Sequence, residues 1–358
     1  MKYMSLPRVL LPFLLLILAI PASGSELEQE FKFDGDELKI SNMIGKVEVR
    51  STSSDEILVT VTVRGEDAES GILEFESDQG SKAELHINFP IDDHKKYVYP
   101  ELGRGSKTTI SYKDENEGGS WLKKIFGGDR ITVRGKGSGL EIWADVLVEV
   151  PSGRSLEVKL GVGSIEAEEV NADLVLDTHS GAIMATDITG DLLADTGSGR
   201  VTASNIDGNV NVDTGSGKVD LTDCRGEIIL VDTGSGSVKG EGLICSELNI
   251  DTGSGSVRAS GVETDEAKID TGSGSVVLQL DRMGTGRFLL DTGSGSIVLE
   301  LPDGASARIA ADTGSGSMNN ELQGAMVKNM GRREMSLVVG DGEARVTLDA
   351  GSGSITVK

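Results

Sequence analysis

The phrase Asp-Thr-Gly-Ser-Gly begins at Asp195, Asp213, Asp232, Asp251, Asp270, Asp291 and Asp312, with near-copies at Asp177 (Asp-Thr-His-Ser-Gly) and Asp349 (Asp-Ala-Gly-Ser-Gly). From Asp177 to Asp312 the steps are 18, 18, 19, 19, 19, 21 and 21 residues. A repeat this short cannot bury an apolar face by itself and must stack on its neighbours. The sequence therefore predicts an all-β fold, a parallel β-helix-like solenoid over 151–358 with repeats of 18–21 residues. Lys159-Leu160-Gly161-Val162-Gly163-Ser164, one step of 18 before Asp177, reads as a worn first copy. The interval from Asp312 to Asp349 is 37 residues, about two steps, and predicts a degenerate copy near Gly331.

Within a step the pattern has period two. In Asn209-Val210-Asn211-Val212-Asp213 and Lys218-Val219-Asp220-Leu221-Thr222 apolar residues alternate with polar ones, as strands with one buried face require. Glycines suit the corners by their backbone freedom, and Asp is expected to cap each turn by accepting backbone amides. Parallel stacking at about 4.8 Å would align like residues into columns of Val, Thr, Ser and Asp.

The first residues read as a targeting segment. Lys2 and Arg8 precede an apolar run over 9–20, and Pro21-Ala22-Ser23-Gly24 offers small residues for cleavage, so 1–24 is expected to be a signal peptide. The run is short for a membrane span. The protein is then exported, to the periplasm, the cell surface or the medium. The whole chain carries 34 basic and 58 acidic residues, net -24, which excludes nucleic acid as a partner.

Residues 25–150 lack the repeat phrase but keep a strand pattern, with candidates at 38–40, 46–49, 57–63, 72–75, 83–89 and 140–150. They are expected to form a β-rich cap, because the open end of a stacked sheet is an aggregation edge. One segment, 97–137, gathers Tyr97, Tyr99, Tyr112, Trp121, Leu122, Ile125 and Phe126 with Lys123, Lys124, Arg130, Arg134 and Lys136. It reads either as a projecting loop, the sole route to membrane contact, or as a hairpin whose rings cover the stack end.

No catalytic, cofactor-binding or metal-binding residue is assigned. Asp-Thr-Gly-Ser resembles the loop of aspartic proteases, but that chemistry needs two copies facing each other, and copies at a regular step would lie side by side. A calcium site along the Asp column stays open: like charges about 5 Å apart in water repel by roughly 0.8 kcal/mol. A hydrogen bond to a charged group is worth about 1.5–3 kcal/mol, enough to offset that repulsion without metal. Serine chemistry would need a base, and only His86, His94 and His179 exist. Cys224 and Cys245 fall on adjacent repeats two positions out of register, a separation of about 8 Å. They read either as a disulfide of an exported protein or as two small buried side chains.

Ser41-Asn42-Met43-Ile44-Gly45-Lys46-Val47-Glu48-Val49, Val146-Leu147-Val148-Glu149-Val150-Pro151 and the Gly-Ser-Ile and Ser-Gly-x-Val steps resemble those of bacterial putative-adhesin β-strand-repeat proteins, a domain family of unknown function. The resemblance implies an exported, non-enzymatic, adhesin-like binding or scaffold module of the cell envelope or extracellular space, without cofactor, whose partner would be an envelope glycan or protein. The 97–137 insertion departs from the pattern. The rival reading is a polysaccharide-active β-helix enzyme, which would need a cleft of unlike acids and aromatic rings.

Overall fold

The alternation seen in the sequence becomes burial. In Val219–Arg225 the side chains of Val219, Leu221 and Cys224 are at most 1% exposed, while Asp220 and Thr222 face outward. The computed structural model describes residues 27–110 and 130–358. The expected leader, and Tyr112, Trp121, Leu122, Ile125 and Phe126 of the 97–137 segment, lie outside the described residues. Among those described, regular structure consists of strands and one 3-10 turn at Pro100–Leu102.

Twenty-seven strands form one continuous sheet that folds over on itself, and a small second sheet has three strands. Each step of the repeat contributes one strand to each face. The strands Ile165–Ser180 and Val257–Thr271 are long enough to run around the bend and serve both. On the first face Ile183 pairs with Val201, Val201 with Val219, and Val219 with Val238, all parallel. On the second, Leu192 pairs with Val210 and Val210 with Ile229, again parallel. The inward residues of both faces belong to one core. Burying an aliphatic side chain of this size contributes about 1.5–3 kcal/mol.

The bend between the faces has its own column. Glu169, Asp187, Asn205 and Asp223 have φ of 54°, 56°, 53° and 51°, and Gly242 and Gly261 continue it at 66° and 62°. The left-handed region is ordinary for Gly and tolerated by Asn and Asp, whose short side chains bond locally. Just beyond it a second column ties the levels: the Asp191 amide donates to Asp173 Oδ1 at 2.9 Å, and the Asn209 amide to Asp191 Oδ1 at 2.8 Å. The Glu227 and Ile228 amides then donate to Asn209 Oδ1.

Both ends of the stack are threaded out of sequence order. At one end Val47–Thr52 lies between Trp143–Pro151 and Ile165–Ser180, pairing parallel with each. At the other, Ala344–Ala350 lies between Arg287–Thr292 and Ala307–Thr313, and Ile355–Val357 lies between Ile297–Glu300 and Met318–Asn320. The expected degenerate copy near Gly331 is instead an antiparallel hairpin, Met326–Met330 with Glu334–Val339, laid against Ala307–Thr313. Exposed residues fill Met326–Met330, so this strand has no apolar face to stack.

The flanks of 97–137 pack inward. Lys96–Val98, Lys107–Ile110 and Ile131–Arg134 form the three-stranded sheet. Tyr97 is fully buried against Phe89, with ring centres 5.9 Å apart, and Tyr99 is buried against Trp143.

Candidate binding surface

The repeated phrase divides its labour among four residue types. Thr points inward: Thr196, Thr233, Thr252, Thr271 and Thr292 are fully buried. The Thr252 hydroxyl donates to the Gly236 carbonyl of the preceding level at 2.9 Å and accepts the Gly255 amide of its own level at 3.0 Å. Thr271 and Thr292 repeat both bonds. The turn cap expected of Asp therefore falls to Thr, whose short branched side chain reaches the corner from inside. The second glycine is fixed by proximity: a Cβ on Gly236 would sit 1.5 Å from the Gly217 carbonyl oxygen, and one on Gly255 would sit 1.7 Å from that of Gly236. Neither has a positive φ, so stacking distance and not backbone freedom selects glycine here.

With Thr and Gly committed to the corner, Asp is left facing out. One register runs through Lys159, Asp177, Asp195, Asp213, Asp232, Asp251, Asp270, Asp291, Asp349 and Asp312. Two residues earlier on each strand a second outward row runs through Leu193, Asn211, Leu230, Asn249, Lys268 and Leu289. Between these rows lies a shallow open groove lined by Leu193, Asp195, Asn211, Asp213, Leu230, Asp232, Asn249, Asp251 and Lys268. The other face differs: its outward acids meet bases, Asp220 with Lys218 at 2.8 Å and Arg200 at 3.3 Å, and Glu241 with Lys239 at 3.1 Å.

Packing of carboxylates raises their proton affinity. Partial burial first, and then the charge of Asp232, hold the Asp213 carboxyl above its ordinary range. Burial, followed by Asp270 and Asp349, does the same to Asp291. The surface is an anionic stripe edged with amides and aliphatic side chains, suited to cationic or hydroxyl-rich groups repeated at strand spacing. Among the described residues no group of three or more His, Cys, Asp or Glu side chains is placed to hold a metal ion.

The remaining candidates fall elsewhere. The Asp-Thr-Gly-Ser copies lie side by side, without the facing arrangement that a shared proton needs. His86 bonds Ser41 Oγ through Nδ1 at 3.2 Å and Glu84 through Nε2 at 3.0 Å, a contact between distant segments that the sequence did not signal. Ser41 is fully buried and so presents no oxygen to a substrate. Cys224 and Cys245 are both free, buried thiols; Cys224 takes the column position of Ile206, while Cys245 is paired with Thr264. The groove lining contains no aromatic ring.

The family model described as Toastrack DUF4097 matches residues 74–228 and again residues 191–358, most of the chain. The chain belongs to the Toastrack DUF4097 family. Within the Toastrack matches lie the groove and every full copy of the repeat phrase. No curated protein matches the chain. Among solved structures the Toastrack chain is similar to a putative cell adhesion protein from Clostridium sporogenes, at 14% identity over 94% of this chain and 99% of that one, TM-score 0.24. A putative lipid binding protein from Parabacteroides distasonis has 14% identity over 94% and 98%, TM-score 0.42. A putative adhesin from Bacteroides fragilis has 11% identity over 95% and 100%, TM-score 0.37. These likenesses carry nothing about role.

Proposed function

We propose that this Toastrack chain is an exported, non-enzymatic β-solenoid acting as an adhesin-like binding and scaffold module in the cell envelope or outside the cell. In this reading 1–24 is a cleaved leader, 25–150 a β-rich cap and 151–358 the solenoid. The parallel pairing of each step with the next at an offset of one repeat supports the solenoid. The observation that carries the function is the groove. Its lining repeats the same outward Asp at each level beside Leu or Asn, so a ligand with its own repeat meets several equal contacts. Weak contacts on one rigid body sum to avidity. An envelope glycan or protein has that repeated character.

Immobilised residues 25–358 are exposed to membranes, sugar polymers and soluble proteins separated from an envelope. Selective retention of the glycan or the protein fraction is expected, decreasing in steps as Asp213, Asp232 and Asp251 are changed to Asn. Retention of nothing, or retention indifferent to all three substitutions, overturns the reading.

A further inference from the structure

The second face ends at each end of the stack in a two-stranded antiparallel hairpin whose outer strand is paired on one side alone. At one end the outer strand is Glu74–Asp78, paired with Lys82–Asn88. At the other it is Met326–Met330, paired with Glu334–Val339. Among the described residues neither has a second partner strand. Both are five residues long. An outer strand with an open edge offers a row of backbone donors and acceptors to another strand.

Their chemistry is opposite. Glu74, Glu76 and Asp78 are exposed on the first, which carries no basic residue. The second carries Lys328, and its turn adds Arg332 and Arg333 against Glu334, all exposed. This is a basic tip on a chain of net charge -24. The same strand exposes Met326 at 57%, Val327 at 49% and Met330 at 48%, half of the large exposed hydrophobic side chains on the described surface. At the acidic end Phe75 is half-buried, its ring tilted 45° to that of Phe31 with centres 5.7 Å apart. Two basic tips repel each other, as do two acidic ones, whereas basic against acidic attracts. The charges thus disfavour like-with-like pairing of ends and favour unlike pairing.

We propose that copies of this chain associate end to end, Met326–Met330 of one pairing with Glu74–Asp78 of the next, so that the second face continues from molecule to molecule. The contact is heterologous and leaves one free end of each kind, so it propagates into a filament or closes into a ring. It joins the grooves of successive copies into one longer stripe. The association stands on strand edges remote from the groove residues and does not require the proposed ligand.

The test is analytical ultracentrifugation of the full chain, as processed by the host that expresses it, at several concentrations and ionic strengths. Two charge-reversed variants accompany it: Lys328→Glu with Arg332→Glu and Arg333→Glu, which makes both ends acidic, and Glu74→Lys with Glu76→Lys, which makes both ends basic. All sites are exposed, and matching circular dichroism and thermal unfolding establish that each variant folds. The expected result is concentration-dependent oligomers of the parent that weaken as salt rises, and a roughly tenfold or greater loss of self-association in each variant alone. Mixing the two variants restores association, because each then offers the end that the other lacks. A parent that stays monomeric throughout, variants that associate as well as the parent, or a mixture that stays dissociated overturns the proposal.

Discussion

The Thr313 hydroxyl donates to the Gly353 carbonyl at 2.7 Å, across 40 residues of chain, where the same bond elsewhere in the stack spans 15 to 18. The longer span marks the level built from 344–357, which enters the stack between two levels made earlier in the sequence.

Removing residues 344–358 takes out that level and leaves a slot. The strand Ala307–Thr313 then loses its parallel neighbour and keeps the antiparallel hairpin alone. Limited proteolysis and hydrogen exchange should find 307–343 labile while the levels up to Ile297–Glu300 stay protected. Protection of 307–343 equal to that in the intact chain would show that it packs directly against Arg287–Thr292.

Thr252→Val keeps the shape and deletes a hydroxyl that serves two backbone groups. Leaving both buried and unpaired is expected to cost about 1–3 kcal/mol in urea unfolding. Thr214 offers the contrast, since its buried hydroxyl has no partner among the described residues. Thr214→Val should be neutral or stabilising, within roughly 0.5 kcal/mol of the parent or above it. Equal losses at both sites would mean that packing of the methyl, not the hydroxyl, sets the requirement for Thr.

Glu169 is the residue least suited to the left-handed bend that it shares with Asp187, Asn205, Asp223 and two glycines. Glu169→Gly should raise stability by about 1 kcal/mol, the relief of left-handed strain less the added chain entropy. Differential scanning calorimetry would register this as a higher Tm; a fall would show that the Glu side chain makes a compensating contact.

Asp213 has a raised proton affinity in the folded state, so the folded state takes up its proton more readily than the unfolded chain. Its contribution to stability is present in acid and is lost as pH rises through the raised value. Asp213→Asn removes a like charge from the column, worth about 0.8 kcal/mol per neighbour at strand spacing in water. The variant should melt higher than the parent at neutral pH and low salt, and the difference should shrink below about pH 4 and in high salt. A difference independent of both would assign the effect to something other than charge.

Burial pushes the Cys224 thiol up to about 11. The protonated thiol is therefore favoured by folding, and this contribution is present below the unfolded value, near 8.5, and lost as pH rises toward 11. Native protein should resist thiol reagents at pH 8 and react on unfolding, and Cys224→Ala should flatten part of the alkaline loss of stability. Rapid labelling of the native Cys224 would contradict its burial.

Much of the fold was legible because a side chain in a stack meets its own copy. The step of 18 residues from Lys159 to Asp177 is a strand register, and so are the later steps through Asp291. What the sequence hid is long-range. The 37-residue interval before Asp349 reads as two steps by arithmetic, but Met326–Met330 lacks an inward apolar row, and the chain turns back instead of stacking there. The Asp-to-Thr reversal of the capping role was equally hidden, since both side chains can bond an amide, and only the position of the corner decides which one reaches it. The contact of His86 with Ser41 joins segments 45 residues apart with no shared motif. The groove was half visible: its Asp row is printed in the repeat, while the Leu and Asn row beside it varies from step to step.

The threaded ends set a timetable as well as a shape. Levels from 172 to 300 can be laid down one after another as the chain emerges, each on a finished neighbour. The level at Glu37–Thr52 must wait for residues past 143 before it is covered on both sides. The hairpin at 326–339 appears before the strand that will fill the slot beneath it. A nascent molecule therefore closes its first seam once residues 143–180 are made and carries the second, beneath the hairpin, until 344–357 arrive, so its closure comes in two separate events.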